Sequence, residues 1–386
     1  LFTFAPQIAI FFNIPILSDL IKVAGLVLLI NAVVIIQRTL LNKSLNFKKL
    51  SIIAVISSII SGIIAVVMAF MDFGVWSLVA LSILRPFINS ILLWFSSNWF
   101  PQFIFSIKSF KELFNYGSKL LLTNLINTAY KNIYYFVIGK YFNPVALGFY
   151  TRADQFQSPF SANISFAIRR ISFPILSNFQ NDSKNLKIKF IQFIRFSMLL
   201  NFTIMLAIVA IAKPLVLLLI GEKWSTSIVY LQLLCVPGIL YPLQILHLNL
   251  LLVKGYSNLN LKLEIIKKAI LLPIIFVTIN YGITEMIYGL ILFSIIEYFI
   301  NSYYTRKIIH YSLTEQFKDF LPFMIVSGAT FLSMYIITIF EINLIIMLVI
   351  QLGVGIIVFT VINEILCLKE YQMIKTKITT LFKTYK

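Results

Sequence analysis

The sequence predicts an all-α, polytopic membrane protein, and three observations carry that prediction: the composition, the length of the apolar runs, and the alternation of basic charge between them. Apolar residues make up 60% of the 386 positions and charged residues 12%. A soluble chain of this size carries about a quarter charged residues. Half that supply cannot coat a globule in water, so lipid must solvate most of the surface. Runs such as Leu199–Ala212 and Ile342–Val361 are apolar almost throughout.

A membrane-crossing helix needs about 20 mostly apolar residues. On that ruler Leu1–Phe12 is half a span, and the absence of an initiating Met leads to the expectation of a chain that starts inside a helix. No basic flank, apolar stretch and cleavage site follow one another as in a signal peptide. The spans that follow are Ser18–Leu41, Lys49–Met71 and Gly74–Phe95, then two more polar ones, Leu113–Lys140 and Pro144–Asn178. Phe190–Ala212, Ser225–Val253, Leu259–Asn280, Ile283–Lys307, Phe320–Phe340 and Asn343–Leu368 complete eleven full spans.

Lys and Arg fix the expected orientation. Alternate connections and the tail hold 21 of them, while the intervening connections hold three, Lys140, Lys213 and Lys223. An error of one span would scramble that alternation. The basic connections and the C-terminus are therefore expected in the cytoplasm. The formal net charge of +18 then reads as a topology signal and an attraction to anionic membrane lipids, not as nucleic-acid binding. Cys235 and Cys367 lack any partner spacing. His247 and His310 are isolated, so no metal or cofactor is expected. There is no Gly-rich phosphate loop, paired-His motif or nucleophile–base set, and no connection is long enough for a soluble domain. The chain does not read as an enzyme.

Polar residues inside the spans mark candidate function. Arg85 falls midway along Gly74–Phe95, beside Pro86, and faces either a watery cavity or a buried acid such as Asp154 or Glu297. In Leu113–Lys140, a count of 100° per residue from Tyr116 places Lys119, Thr123, Asn127, Tyr130, Lys131 and Tyr134 within about 60° of it. Lys119 and Lys131 are about 18 Å apart along such a helix, too far for both to reach headgroups from one end. This stripe is either a water-facing path or a polar helix–helix seam. In the next span Asp154, Ser158, Ser161, Ser165, Arg169 and Ser172 repeat at helical spacing, with Arg152 nearby. Asp154 and Glu297 are the acids at depth, open to ion coupling or to salt bridging.

The stretch Leu147–Gln180, LGFYTRADQFQSPFSANISFAIRRISFPILSNFQ, resembles a segment of polysaccharide flippases. So do LLLIGEKW and LLLVKGYSNLNLKLEIIKK within Leu217–Lys268, the N-terminal Ala5–Phe12, and FGVWSLV at Phe73–Val79. Their order and spacing carry the resemblance, which belongs to the multidrug, oligosaccharidyl-lipid and polysaccharide exporter superfamily. It implies a two-lobed, V-shaped helical bundle of fourteen spans, of which about eleven and a half are here. Residues 1–112 would be the remainder of the first lobe with a linker, 113–312 the second six-helix lobe, and 313–386 two appended helices with a basic tail. The implied function is movement of a polyprenyl-diphosphate-linked oligosaccharide from the cytoplasmic to the outer leaflet by alternating access, for surface polysaccharides such as O-antigen or exopolysaccharide. Polysaccharide assembly proteins would be partners. Arg85, Lys119, Lys131 and Arg152 are candidates to meet the diphosphate, and Asn127, Tyr130 and Tyr134 to meet sugars; Arg169 is a further substrate-path candidate, although it and Arg170 lie near the cytoplasmic end of their span, where both can snorkel to headgroups. A multidrug or cation antiporter of the same superfamily is the alternative transporter, expected to favour an acidic cavity. A polysaccharide polymerase or acyltransferase is the alternative from another class, expected to show a large outer loop.

Overall fold

The computed structural model describes residues 2–44, 46–97, 99–101, 104–340 and 342–384; within its helices, the side chains at 112, 115, 116, 119, 120, 123, 378, 379 and 381–384 lie outside the described residues. Every regular element among the described residues is helical, with fourteen α-helices in chain order. The chain divides by internal packing into two units, 1–128 and 129–386.

In the first unit, α1 (Ala5–Phe12), α2 (Ile16–Lys43), α3 (Phe47–Phe70) and α4 (Val75–Phe95) lead into α5 (Ile107–Lys131), which continues into the second unit. Asn46 caps α3 by accepting from the Lys49 amide at 3.2 Å. α2, α3 and α4 pack together through the buried Val34, Ile53 and Leu93. Ser57 and Ser61 let α3 approach closely, each turning its hydroxyl back to a carbonyl one turn earlier at 2.6 and 2.7 Å. Most other α3 positions are exposed apolar residues such as Ile52, Val55, Ile59 and Ile63, the pattern of a helix solvated by lipid.

The second unit opens with the short α6 (Ile133–Tyr141), followed by α7 (Pro144–Asn178), α8 (Ser183–Ile220), α9 (Thr226–Val253), α10 (Ser257–Thr278), α11 (Ile283–Ile309), α12 (Leu313–Ile336), α13 (Leu344–Ile365) and α14 (Lys369–Thr384). Sequence chemistry sets several starts. Asn143 caps α7 ahead of the N1 proline Pro144, accepting from the Ala146 amide at 2.7 Å. Asp182 caps α8 at 3.0 Å, and this contact with the Asn185 amide holds its carboxyl below the usual carboxylate range. Ser312 and Glu315 form a reciprocal capping box at α12. α7, α8, α9 and α11 form the centre, with α12 and α13 packed on α8. One apolar core lies at the Lys-rich end, around Phe190, Met198, Leu246, Tyr311 and Phe323. A second lies at the opposite end, around Ile138, Met205, Leu231, Cys235 and Met286.

Eight of these helices are long and apolar enough to cross a membrane. α5, α7 and α10 are long enough but more polar, and are not among the eight. Three expectations about boundaries change. The span read as Leu113–Lys140 is two helices, because Asn132 sits at φ −103°, ψ 12° between α5 and α6. α8 runs to 38 residues, about 57 Å against a hydrocarbon core of about 30 Å. Many charges assigned to connections therefore sit in helices: Lys184, Lys187, Lys189 and Arg195 in α8, and Lys262, Lys267 and Lys268 in α10. The basic tail folds as α14, held by Arg195, which bridges Asp319 of α12 at 3.1 Å and Glu370 of α14 at 2.6 Å.

Prolines inside helices shape the second unit. Pro242 has no N–H, so the Gly238 carbonyl one turn earlier loses its helical donor. Asn201 of α8 reaches across and donates to the Gly238 and Ile239 carbonyls at 2.8 Å each. Pro214 likewise strands the Ala210 carbonyl of α8, and Gln351 of α13 donates to it at 3.2 Å and to the Met334 carbonyl at 3.1 Å. At Gly238 an added Cβ would lie 2.0 Å from the Gln157 amide of α7, so a larger residue there would require the Gln157 side chain to move. Losing such a bond while burying the stranded carbonyl costs about 1–3 kcal/mol, or nearer 0.6 kcal/mol by the average seen within membranes. Asn201→Leu should therefore lower the melting temperature of the detergent-solubilised protein. Pro242→Ala in the same background should recover most of the loss, because it returns an N–H to Gly238. A double variant as unstable as Asn201→Leu alone would refute the assignment.

Candidate functional site

The second unit holds a cluster of ionisable side chains on four helices. Lys267 of α10 is buried, and its ammonium donates to Glu297 of α11 at 2.9 Å and, in a very short contact, to Glu264 one turn earlier. The Tyr241 hydroxyl of α9 lies within electrostatic reach of Glu297, Glu264 and Arg169 of α7. Counting from the Lys-rich helix ends, Glu264, Lys267, Arg169, Tyr241 and Glu297 are 7 to 12 residues in, about 10–18 Å. A buried ammonium needs a counter-charge, and the apolar α10–α11 contact brings Glu297 to it. Two carboxylates on one ammonium leave the cluster with a net negative charge.

The other residues singled out in the sequence are distributed as follows. Asp154 of α7 accepts from the Tyr135 hydroxyl of α6 at 2.5 Å. Arg152 lies near the opposite end, donating to Gln155 at 2.9 Å and packing over the Trp224 ring at 5.4 Å. Tyr134 is buried, donates to the Met286 carbonyl at 3.3 Å and stacks on Tyr150. Tyr130 is half-buried beneath the Lys268 ammonium, 4.8 Å from its ring centre. Asn127 and Lys131 are exposed on α5, and the Lys119 side chain lies outside the described residues, as do those of Tyr116 and Thr123. In the first unit Arg85 is exposed on α4. A separate polar relay there runs from Arg38 to Asn89 at 3.1 Å and from Asn89 to Ser57 at 3.5 Å.

The serine stripe of α7 faces inward. Ser161, Ser165 and Ser172 are buried, and Asn249 of α9 donates to Ser172 at 3.1 Å. Lys267 and Glu264 escaped the sequence reading because they were counted with a basic connection. The signal that could have found them is their i, i+3 spacing at the start of an otherwise apolar run. Tyr298, Gln316 and Ser302 form a further buried network beside His247, whose Nδ1 lies 2.7 Å from the Thr305 hydroxyl. Among the described residues no group of three or more His, Cys, Asp or Glu could hold a metal ion.

The architecture is that of a polytopic helical membrane protein. It matches the solved lipid II flippase MurJ, in an inward closed conformation, with a TM-score of 0.75 over 95% of this chain and 79% of that one at 15% identity. The chain belongs to the polysaccharide biosynthesis protein family, whose model matches residues 1–229. Teichuronic acid biosynthesis protein TuaB of Bacillus subtilis is 25% identical over 338 residues, 85% of this chain and 69% of that protein. Lipopolysaccharide biosynthesis protein WzxC of Escherichia coli is 26% identical over 82% of this chain and 67% of that protein. Succinoglycan biosynthesis transport protein ExoT of Rhizobium meliloti is 25% identical over 63% and 49%.

Breaking a buried ion pair by removing one partner costs about 3–5 kcal/mol, less here because Glu264 is about a third exposed. Lys267→Met should therefore destabilise the solubilised protein strongly. Lys267→Met with Glu297→Gln should recover part of that loss, since the orphaned charge is removed with its partner. Equal melting temperatures for wild type and Lys267→Met would rule out the pairing as a structural element.

Proposed function

We propose that this protein is a flippase that carries a polyprenyl-diphosphate-linked oligosaccharide from the cytoplasmic to the outer leaflet of a bacterial inner membrane. The basic helix ends and α14 then lie in the cytoplasm. Residues 1–112 belong to one lobe, 113–312 to a six-helix second lobe, and 313–386 to two appended helices with the tail. Alternating access rocks one lobe against the other. The polysaccharide-related names of TuaB, WzxC and ExoT support a surface-polysaccharide precursor as cargo, and a lipid-flippase fold supports a lipid-linked one.

One asymmetry carries this reading. Among the described residues the acids at depth are committed: Asp154 to Tyr135, Glu264 and Glu297 to Lys267. Several cations are not. Arg85, Lys131 and Arg169 have no ion pair or hydrogen bond among the described residues and are exposed. A cation at membrane depth costs about 2.5–3.5 kcal/mol or more unless water or an anion meets it. Uncommitted cations in each unit favour a diphosphate and disfavour the cationic cargo of a multidrug antiporter. Asn127 and Tyr130 on α5 can meet sugar hydroxyls and ring faces.

Arg85→Ala or Lys131→Ala, introduced into the host's chromosomal gene, should each reduce surface polysaccharide by about tenfold or more, as expected for loss of one charge-assisted contact. Membrane insertion of the variants should match wild type on a fractionation blot. Normal polysaccharide in both variants would sink the path assignment, and drug efflux from vesicles without lipid flipping would replace the function.

A further inference from the structure

The helix α14 follows α13 after a three-residue turn, Leu366 to Leu368. Cys367 takes a left-handed φ of 46° there, and the chain folds back. Tyr371 of α14 meets Phe359 edge-on, with ring centres 5.9 Å apart, six residues before α13 ends at Ile365. Gln372 donates to the Glu364 carboxylate of α13 at 3.0 Å, and Lys375 pairs with the same carboxylate. From the other side Arg195 of α8 holds Glu370 at 2.6 Å and Asp319 of α12 at 3.1 Å. α8 exceeds the hydrocarbon core by about 27 Å. Shared equally between its two ends, that excess puts Arg195, 12 residues in, close to the border of headgroup and hydrocarbon. α14 therefore starts at that border.

The sequence of α14 sorts its residues onto two faces. At 100° per residue, Tyr371, Ile374, Ile378, Leu381 and Phe382 fall in one arc of about 100°. Lys375 and Lys377 border the arc on either side, with Lys369 and Lys383 farther round. Met373 is the one apolar residue of α14 off the arc. Residues 369–386 hold five lysines and a single acid, Glu370, which Arg195 already neutralises. Tyr371 and Ile374, in the first turns, pack on the apolar core at the Lys-rich end. An acidic soluble partner would answer the lysines and leave the apolar arc unanswered. An uncharged membrane surface would answer the arc and not the lysines. An anionic membrane surface answers both, because a basic amphipathic helix lies in its plane with the apolar side down and the ammoniums reaching phosphates.

We propose that α14 is an in-plane helix that binds anionic phospholipid at the Lys-rich end of the second unit. Its apolar arc sinks into the leaflet, and its lysines meet headgroup phosphates. The proposal goes beyond the flippase reading and does not depend on it. Through Glu370 and Arg195 the seated helix holds α8 and α12 at a fixed height in the membrane, so the anionic lipid content of that leaflet bears on the packing of the second unit.

The test uses the full chain in the C235A/C367A background, with a fluorophore on a single cysteine introduced as F382C or T380C. Each labelled protein is reconstituted into vesicles of phosphatidylcholine, or of an equal mixture of phosphatidylcholine and phosphatidylglycerol. Position 380 falls opposite the apolar arc, at 180° from Tyr371. In the mixed vesicles the probe at 382 should be quenched by nitroxide-bearing acyl chains, and the probe at 380 by aqueous iodide. In phosphatidylcholine alone the ratio of seated to unseated helix, read from the 382 probe, should fall about tenfold. K377Q/K383Q should produce a similar fall in the mixed vesicles while melting in detergent at the wild-type temperature, which separates lost lipid binding from lost fold. If K377Q/K383Q melts early, wild type in the mixed vesicles at high salt supplies the comparison, and the same fall is expected from screening. Equal iodide quenching at 380 and 382 in the mixed vesicles, or the same lipid quenching at 382 in both kinds of vesicle, would overturn the proposal and leave α14 as a helix packed only on the protein.

Discussion

A proline in a lipid-embedded helix strands a carbonyl, and the second unit is organised around the groups that answer it. In water the cost would be small, because solvent would bond the freed oxygen. In hydrocarbon only another part of the protein can. Asn201 therefore ties α8 to α9 at the turn that Pro242 opens, and Gln351 ties α13 to α8 at the turn that Pro214 opens. Each contact fixes both the rotation and the height of one helix against its neighbour, which dispersion between Leu and Ile side chains does weakly. Gln244 of α9, donating to the Ser294 carbonyl of α11 at 3.1 Å, adds the third side of the same frame. With α8, α9, α11 and α13 so registered, Lys267 is brought to Glu297 rather than to lipid.

That consequence explains why a lysine can be buried in α10. An isolated ammonium there would be neutral or would pull α10 toward the surface. Held against two carboxylates it stays charged, and it becomes the link between α10 and α11 near the level where Arg169 and Tyr241 approach from α7 and α9. The same logic separates the residues that build the fold from those that are left to meet something else. Asp154 with Tyr135, and Arg195 with Asp319 and Glu370, find their partners within the unit. Arg85, Lys131, Arg169 and Arg170 do not.

Much of this was legible in the sequence, for physical reasons that differ by element. α7 is read as Pro144–Asn178 from sequence and structure alike, because an Asn–Pro pair at a helix start and a polar stop after Asn178 are local signals. The apolar helices α2, α3, α4, α9, α11, α12 and α13 were legible because length in lipid is set by bilayer thickness. The break at Asn132 was not, since neither Gly nor Pro marks it, and a strict 100° count runs on through it. Tyr134 follows from that break: counted with a water-facing stripe, it instead packs in the core beside Tyr150 and Met286. Lys267 and Arg195 were read as connection charges because a sequence shows how many lysines cluster near a helix end, not which one turns inward to an acid on another helix. The serines of α7 were ambiguous between a polar path and a close-packing seam, and burial against α9 places Ser161, Ser165 and Ser172 in the seam.

The basic content thus divides by depth into two kinds with different physics. Lysines in the first turns, such as Lys184 and Lys189, lie in or near the headgroup layer, where each is worth about 1 kcal/mol of attraction to an anionic leaflet and none needs a protein partner. Cations farther along their helices must be met: Lys267 by carboxylates, Arg152 by Gln155 and the Trp224 face. Arg169 and Arg170 stand between these regimes. They are too deep to be fully hydrated and too near the end to require a buried acid. A pair of exposed guanidiniums at that depth stays ionised and is met by water and headgroup phosphates to which the long side chains can reach.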